Sequence, residues 1–508
     1  MDHSRRATPA STATHQTPRS DRLAGVTEDE AAVEEYDVVV VGGGPPGENV
    51  AGRVVRGGLT AVLVEHELVG GECSYWACIP SKALLRPVEL YNAARRLPGV
   101  AEAVTGELDA AAVFARRDRF VGRDESRPFD HDDTGQLEWL RRTGIAFVRG
   151  HGRLDGERRV AVATADGGTR VLTARHAVVL ATGTVASVPP IPGLREAMPW
   201  TSREATNATT VPRRLAVLGG GVVACEMAQA FRALGSAEVT VVERAARLLG
   251  RVEPYASDLV AEAFREAGIT VLTGTSAAAV RRDTDGGPVT LTLSDGREIE
   301  ADELLAALGR SPATRDLGLD GVGLEPGRYV DVDDSLHARG GWLYAVGDVN
   351  GRNLLTHMGK YQARICGDVI AARAKGEPAE SLGYRAVADG HWVPQVVFTD
   401  PQVAQVGPTE EQSRASGLPV RSVEYELGSV AGASLLADGF RGRAKIVVDT
   451  DRRVLVGASF VGPEVAELLH AATVAIVGEV PLDRLWHAVA SYPTVSEIWL
   501  RLLETYGM

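Results

Sequence analysis

"EYDVVVVGGGPPGENVAGRVVRGGLTAVLVEHE", residues Glu35–Glu67, is the stretch from which the fold is read. Asp37–Val41 is one Asp followed by four consecutive valines, the apolar pattern of a strand buried on both faces of a parallel sheet. It leads into Gly42-x-Gly44-x-x-Gly47, then a helix to about Arg56, then a second strand over Thr60–Val64 that ends in Glu65. Each part has a physical task. Gly42 permits the tight turn, Gly44 lets the backbone approach a pyrophosphate, and Gly47 lets helix and strand pack closely. The helix start offers unpaired N–H groups and positive potential, and Glu65 is placed to accept from a ribose hydroxyl. A glycine triplet alone says little; set between strand, helix, strand and acid, it reads as a dinucleotide-binding unit.

The same unit recurs at "RRLAVLGGGVVACEMAQAFRALGSAEVTVVERAARLL", residues 213–249. Leu215–Leu218 is the strand, Gly219-x-Gly221-x-x-Ala224 the turn, and Glu243 the acid. Two dinucleotide folds in one chain imply two dinucleotides, with electrons passing between them.

Outward from these, "HAVVLATGTVASVPPIPG" is an apolar strand ending in Ala181-Thr182-Gly183, followed by a Pro-rich exit. "ADELLAALGRSPAT" ends in Gly309-Arg310-Ser311-Pro312, and "GWLYAVGDVNG" delivers Gly347-Asp348 at a strand's carboxyl end, where α/β sheets place ligand contacts. From about Val393 the pattern turns to period-2 strands and a helix, an α+β unit. The expected fold is α/β with two Rossmann-like domains and a C-terminal α+β domain. Its expected division is a disordered tail over 1–33, first-nucleotide segments at 34–190 and 304–385, a second-nucleotide domain at 191–303, and an interface domain at 390–508.

Composition narrows the function class. The chain has 508 residues, too many for one ordinary domain. No run of 18 apolar residues occurs, so no membrane span is expected. A net charge of −13 spread along the chain argues against a nucleic-acid partner. Four cysteines cannot make a secreted disulfide framework. The polar first 33 residues lack the apolar core of a secretory signal; disorder and a cytoplasmic location are expected, with an Arg- and Ser/Thr-rich transit peptide as the alternative.

Two of the cysteines, Cys73 and Cys78, stand in "GGECSYWACIPSKALLRP". Zinc would need further ligands, and His66 is the only one close by; no metal is expected. Two inert buried thiols are a second reading. A redox pair fits the setting better: the start of a helix favours a thiolate, and Lys82 adds a positive charge one turn after Cys78. Cys225 and Cys366 read as small buried residues.

Over roughly residues 35–500 the chain resembles the class I pyridine nucleotide–disulfide oxidoreductases, which include dihydrolipoamide dehydrogenase, glutathione reductase and mercuric reductase. The likeness rests on Gly70, Gly71, Cys73, Cys78, Pro80, Ser81 and Lys82, on both glycine fingerprints with Glu226 beside the second, and on the runs at 181–183, 309–312, 344–348 and 396–407. It implies FAD on Gly42, Gly44, Gly47, Glu65, Lys82, Thr182, Gly183 and Asp348, and NAD(P) on Gly219, Gly221, Ala224, Glu243, Gly309 and Arg310. It implies that Cys78 is the flavin-side thiol, Cys73 the interchange thiol, and Lys82–Glu226 an ion pair. It also implies a homodimer in which each active site is completed by the partner, and a small disulfide as substrate.

Two positions depart from that pattern. Tyr492 stands where the family's acid/base His belongs, ahead of the retained Pro493 and Glu497, with His487 five residues earlier. A phenol donates protons well at neutral pH and is a poor base. Trp76 is a bulky residue between the thiols, expected to restrict or stack on substrate. The mercuric reductases' extra C-terminal cysteine pair is absent from the closing "LLETYGM". Glu243 favours NADH, while Arg244 and Arg247 are the residues that could bind a 2′-phosphate. Direct reduction of quinones, dyes or another nicotinamide without the thiols is the alternative activity, and a non-catalytic nucleotide-binding subunit the third.

Overall fold

The computed structural model describes residues 33–124 and 127–508. The expected tail falls outside them except for Val33, which opens the first strand.

Strand β1 (Val33–Val41) feeds helix α1 (Pro45–Arg56) and strand β2 (Ala61–Glu65). Pro45 and Pro46 suit the first helical positions, where an N–H would go unbonded, and Gly57 closes the helix. After β2 come a short helix α2 (Gly71–Tyr75) and the long α3 (Cys78–Arg95). Strands β3 (Ala146–Arg149) and β4 (Thr169–Leu180) complete the parallel centre. β1 lies between β2 and β4, with Val38 paired to Ala61 on one side and Ala177 on the other. Val38, Val39 and Val40 are wholly buried, as a two-sided strand requires. The expected second strand, Thr60–Val64, is shifted by one residue: Glu65 is the last strand residue, so its carboxylate stands at the sheet's carboxyl edge.

The second unit repeats this order. β5 (Arg214–Leu218), helix α4 (Val222–Ala233), β6 (Glu238–Glu243), β7 (Ile269–Thr273) and β8 (Glu303–Ala306) form a four-stranded parallel sheet, ordered β7-β6-β5-β8. The chain then returns to the first sheet through β9 (Leu343–Ala345), which pairs parallel to β4, and continues into helix α5 (Thr356–Ala374) against α1. The C-terminal unit is a five-stranded antiparallel sheet of β10 (Pro394–Val397), β11 (Gln402–Val406), β12 (Val420–Glu426), β13 (Arg443–Asp449) and β14 (Val454–Gly462), ordered β10-β11-β14-β13-β12. Helices cover one face and share its core, which includes Ile446, Phe460 and Ile498. Buried Lys445 ties this unit to the second, its Nζ 3.0 Å from Glu253 Oε2 and 2.7 Å from Glu410 Oε2. The fold class read from the sequence is the fold observed.

Both glycine turns are made by close approach. Gly42 has φ 107° and Gly219 φ 105°. A Cβ on Gly42 would lie 2.4 Å from Ala181 O, and one on Gly219 2.3 Å from Ala307 O. Gly47 is tighter still: its Cβ would meet Gly42 O at 1.9 Å, whereas at Gly44 the nearest atom is Pro46 Cδ at 3.9 Å. Gly47→Ala is therefore expected to destabilise the first unit by about 1–3 kcal/mol. Gly44→Ala should leave the ligand-free protein's thermal midpoint unchanged. Differential scanning calorimetry of the two variants checks the contrast.

Candidate active site

Gly71 places the thiols. Its φ of 56° and its close approach to Gly44, whose Cα would lie 2.8 Å from an added Cβ, press α2 directly onto the first glycine turn. Cys73 sits within α2, and Cys78 is the first residue of α3. The segment between them is immobilised by aromatic packing. Tyr75 is buried, donates to Val69 O at 2.9 Å, and packs on Trp76 and His131. Trp76 is also buried: its ring meets His131 edge-on and carries the Arg203 guanidinium 4.0 Å from its centroid. Arg203 is held in turn by Glu67, at 2.9 and 3.1 Å, and by Glu72. The expectation that Trp76 stacks on substrate is thus corrected, because Arg203 and His131 already occupy the ring.

The two thiols are electrostatically unequal. Cys78 is held below the usual thiol range, chiefly because the Cys73 thiol donates to it. Burial opposes this, while the Thr356 hydroxyl and the Lys82 charge assist. Thr356 Oγ1, at the start of α5, lies 3.3 Å from Cys78 Sγ. The first turn of an 18-residue helix adds favourable potential for a thiolate. Cys73 is pushed up, by giving that hydrogen bond and by burial. The surroundings favour the thiolate at Cys78 and keep the proton on Cys73.

Lys82, one turn along α3, reaches α4: its Nζ is 2.6 Å from Glu226 Oε2. Glu226 is 3% exposed, and its other oxygen accepts from Phe398 N at 3.0 Å. The ammonium lies 4.8 Å from the Phe398 ring centroid. Residues of all three units therefore converge on one ion pair.

A cavity of about 940 Å³ runs from Gly42, Gly44 and Glu65 past Thr182 and Asp348 to Cys73 and Thr356. Glu65 Oε2 accepts from Gly43 N at 2.6 Å and Oε1 from Glu67 N at 2.7 Å. Burial would raise its pKa, but hydrogen bonds from His66, Glu67 and Gly43 outweigh that and lower it. Further along, Asp348 is pushed up by burial while accepting from Thr184 Oγ1 at 2.9 Å, and Thr182 Oγ1 is buried with no partner. Open backbone at Gly44, a carboxylate at one end, and a buried hydroxyl awaiting a partner midway fit FAD. Gly183, at φ 69°, leaves the chain between them room to turn. Arg310, expected with the second nucleotide, faces this first cavity instead: it donates to Thr184 Oγ1 at 2.6 Å and to Thr184 O at 2.7 Å. The cause is the short pairing of Arg310–Pro312 with Thr184–Ala186, which turns the residue away from β8.

The second turn mirrors the first. Glu243 Oε2 accepts from Gly220 N at 2.5 Å and Oε1 from Ala245 N at 2.6 Å. No atom would lie within 4 Å of a Cβ on Gly221, so the backbone is open to a second dinucleotide, and Ala224 is wholly buried where the helix meets its sheet. Gly309 follows β8 and accepts from Ser187 N at 2.9 Å. Arg244 is exposed, and Arg247 Nε lies 3.7 Å from Asp258.

Tyr492 and Glu497 do not line the cavity that holds Cys73. Tyr492 is 76% exposed, near Val489 at 91%. Glu497 is buried, with Oε1 accepting from Arg501 at 2.6 Å and Oε2 without a partner. His487 is exposed. Thr356 and Phe398 escaped the sequence reading; Phe398 lies within the 396–407 run, whereas no motif signals Thr356.

A family model described as pyridine nucleotide-disulphide oxidoreductase matches residues 36–374, and one described as the dimerisation domain of the same family matches 393–502. The chain is 35% identical to a mercuric reductase of Shigella flexneri over 91% of its own length and 79% of that protein's. It is 30% identical to a dihydrolipoyl dehydrogenase of Chlamydia pneumoniae, over 92% and 96% of the two chains. The crystal structure of LpdA from Mycobacterium tuberculosis superposes with a TM-score of 0.79 at 26% identity, covering 94% of this chain and all of that one.

Since Lys82 lowers the Cys78 pKa, Lys82→Met should raise it, by on the order of one unit. The ultraviolet thiolate absorbance of the reduced protein, followed against pH, should shift upward accordingly.

Proposed function

The chain belongs to the pyridine nucleotide-disulphide oxidoreductase family, and from that premise we propose that it draws electrons from NADH and delivers them through Cys78 and Cys73 to a small disulfide. The protein is an FAD-dependent enzyme of the NAD(P)H:disulfide oxidoreductase type and carries the family's dimerisation domain. The observation that carries the finer reading is the inequality of the thiols, a stabilised Cys78 beside a protonated Cys73.

FAD, when bound, supplies a two-electron acceptor for hydride and a two-electron donor to the Cys73–Cys78 disulfide. Gly42, Gly44, Glu65, Thr182 and Asp348 would hold it; Gly219, Gly221 and Glu243 would hold the nicotinamide dinucleotide. Lys82 and Glu226 keep a fixed charge pair between the two nucleotide units. In the reduced state Cys73 loses its proton and attacks one sulfur of the substrate disulfide. A Cys73–substrate bond forms, the substrate S–S bond breaks, and the first substrate thiolate leaves and takes up a proton. Cys78 then attacks Cys73 Sγ, closing the protein disulfide and expelling the second substrate thiolate.

The exposed apolar residues Val474, Val477 and Val489 suit a self-complementary interface in a homodimer. Tyr492 and Glu497 would serve the partner's thiols, with Tyr492 as proton donor to the leaving thiolate. Glu243 supports NADH: both its oxygens are fixed by backbone N–H groups, which leaves a stationary negative charge where a 2′-phosphate would stand. No helix among the described residues is long and apolar enough to cross a membrane.

An anaerobic screen of NADH and NADPH against low-molecular-weight disulfides, quinones and Hg²⁺ tests the reading. NADH-driven turnover of one disulfide is expected, abolished in Cys73→Ser and in Cys78→Ser. Full turnover of a quinone in Cys73→Ser, with no disulfide reduced by the wild type, would contradict it.

A further inference from the structure

Cys73 stands in α2, a helix of only five residues, Gly71–Tyr75. A helix that short is not held by its own hydrogen bonds, so contacts from elsewhere set where its thiol stands. How readily Cys73 and Cys78 close into a disulfide depends on that position, because the bond tolerates little error in the separation and direction of the two side chains.

One side chain of the second unit grips the chain on both sides of Cys73. Arg203 Nη1 and Nη2 donate to the two oxygens of Glu67 at 2.9 and 3.1 Å, ahead of the Gly70–Gly71 turn. Its Nε donates to Glu72, the residue directly before Cys73. Its face lies 4.0 Å from the centroid of the Trp76 ring, three residues after Cys73. A planar cation with a fork of donors can stack and bridge two carboxylates at once, which an ammonium cannot. Nε, Nη1 and Nη2 are all committed to these carboxylates, so Arg203 acts on Cys73 through the backbone of α2.

The grip is anchored at its other end. Arg203 lies in the short helix Ser202–Asn207, whose N-cap Thr201 accepts from Arg203 N at 3.2 Å. The preceding residue, Trp200, is bonded to β8: its N donates to Leu304 O and its O accepts from Ala306 N, each at 2.8 Å. Thr206 Oγ1, from the same helix, donates to Trp76 O at 3.0 Å. A continuous set of contacts thus runs from the second unit's sheet to the residues that flank the thiol.

We propose that Arg203 is the positioning residue of the interchange thiol: seated on Trp76 and forked between Glu67 and Glu72, it holds α2 so that Cys73 stays within bonding reach of Cys78, and it ties that reach to the second nucleotide-binding unit. This deepens the proposed function and rests on Cys73 and Cys78 forming the protein disulfide. Without the grip, Cys73 spends less time at Cys78, the effective concentration of one thiol at the other falls, and the couple becomes more oxidising.

The test is the potential of the Cys73–Cys78 couple in the holoenzyme, equilibrated in dithiothreitol buffers of defined thiol-to-disulfide ratio, with thiols trapped by alkylation and mapped by peptide mass. In that exchange the two cysteines give two protons and two electrons to oxidised dithiothreitol, and one S–S bond replaces another. Arg203→Leu should lower the equilibrium constant for closure about tenfold, a rise in potential of about 30 mV. Arg203→Lys, which keeps the charge and loses the fork, should retain most of that rise. Glu67→Ala removes one anchor at a half-exposed position and should shift the potential the same way, by about threefold. Unchanged potentials in Arg203→Leu and Glu67→Ala, with only a lower thermal midpoint, would overturn the positioning role and leave the thiol relay intact. Full restoration by Arg203→Lys would also overturn it, since charge alone would then account for the effect. A wild-type holoenzyme in which NADH yields no thiol at Cys73 or Cys78 would instead overturn the relay beneath it.

Discussion

The Lys82–Glu226 ion pair is the interaction on which the site's geometry depends. Glu226 is almost fully buried on α4, and a buried carboxylate without a partner is strongly unfavourable. Its two oxygens are satisfied by groups from two other units, the Lys82 ammonium on α3 and the Phe398 backbone N–H of the C-terminal sheet. Relative movement of any of the three would expose or orphan that charge. The pair therefore fixes α3, and with it Cys78, relative to the second nucleotide-binding unit. A second clamp lies on the other side of the redox segment, where Arg203, from a short helix of the second unit, covers Trp76 and binds Glu67 and Glu72.

Within that frame the chemistry follows from asymmetry. A symmetric dithiol would divide its charge and leave the direction of exchange unspecified. Here the helix start, the Thr356 hydroxyl and Lys82 all act on Cys78, so one proton remains on Cys73. Cys78, which the Lys82 charge stabilises, stores charge, and Cys73 keeps its proton until it is activated for attack. Assigning the flavin side to Cys78 and the substrate side to Cys73 thus has a physical basis in the surrounding charges.

Much of this was legible in the sequence because it is local. A continuous valine run, a glycine turn and a terminal acid lie within about thirty residues, and each is dictated by backbone geometry that only those residues satisfy. The thiol spacing, Lys82 and the second turn were readable for the same reason. What was not legible depends on distant contacts. Trp76 looked free to meet substrate because Arg203, its stacking partner, lies in another unit. Arg310 read as a residue of the second nucleotide because it follows β8, yet a three-residue pairing with Thr184–Ala186 turns it to the first cavity. Thr356 belongs to no readable motif; only the packing of α5 on α1 brings it to Cys78.

The central claim is that the first electron pair entering the enzyme comes to rest on Cys73 and Cys78. Stoichiometric anaerobic titration of the holoenzyme with NADH, with free thiols counted by alkylation and mapped by peptide mass, tests it most directly. The account predicts that the first equivalent yields two new thiols per protomer, at Cys73 and Cys78, while the flavin absorption stays unbleached. Bleaching of the flavin by that first equivalent, with no thiol appearing at either cysteine, would contradict it.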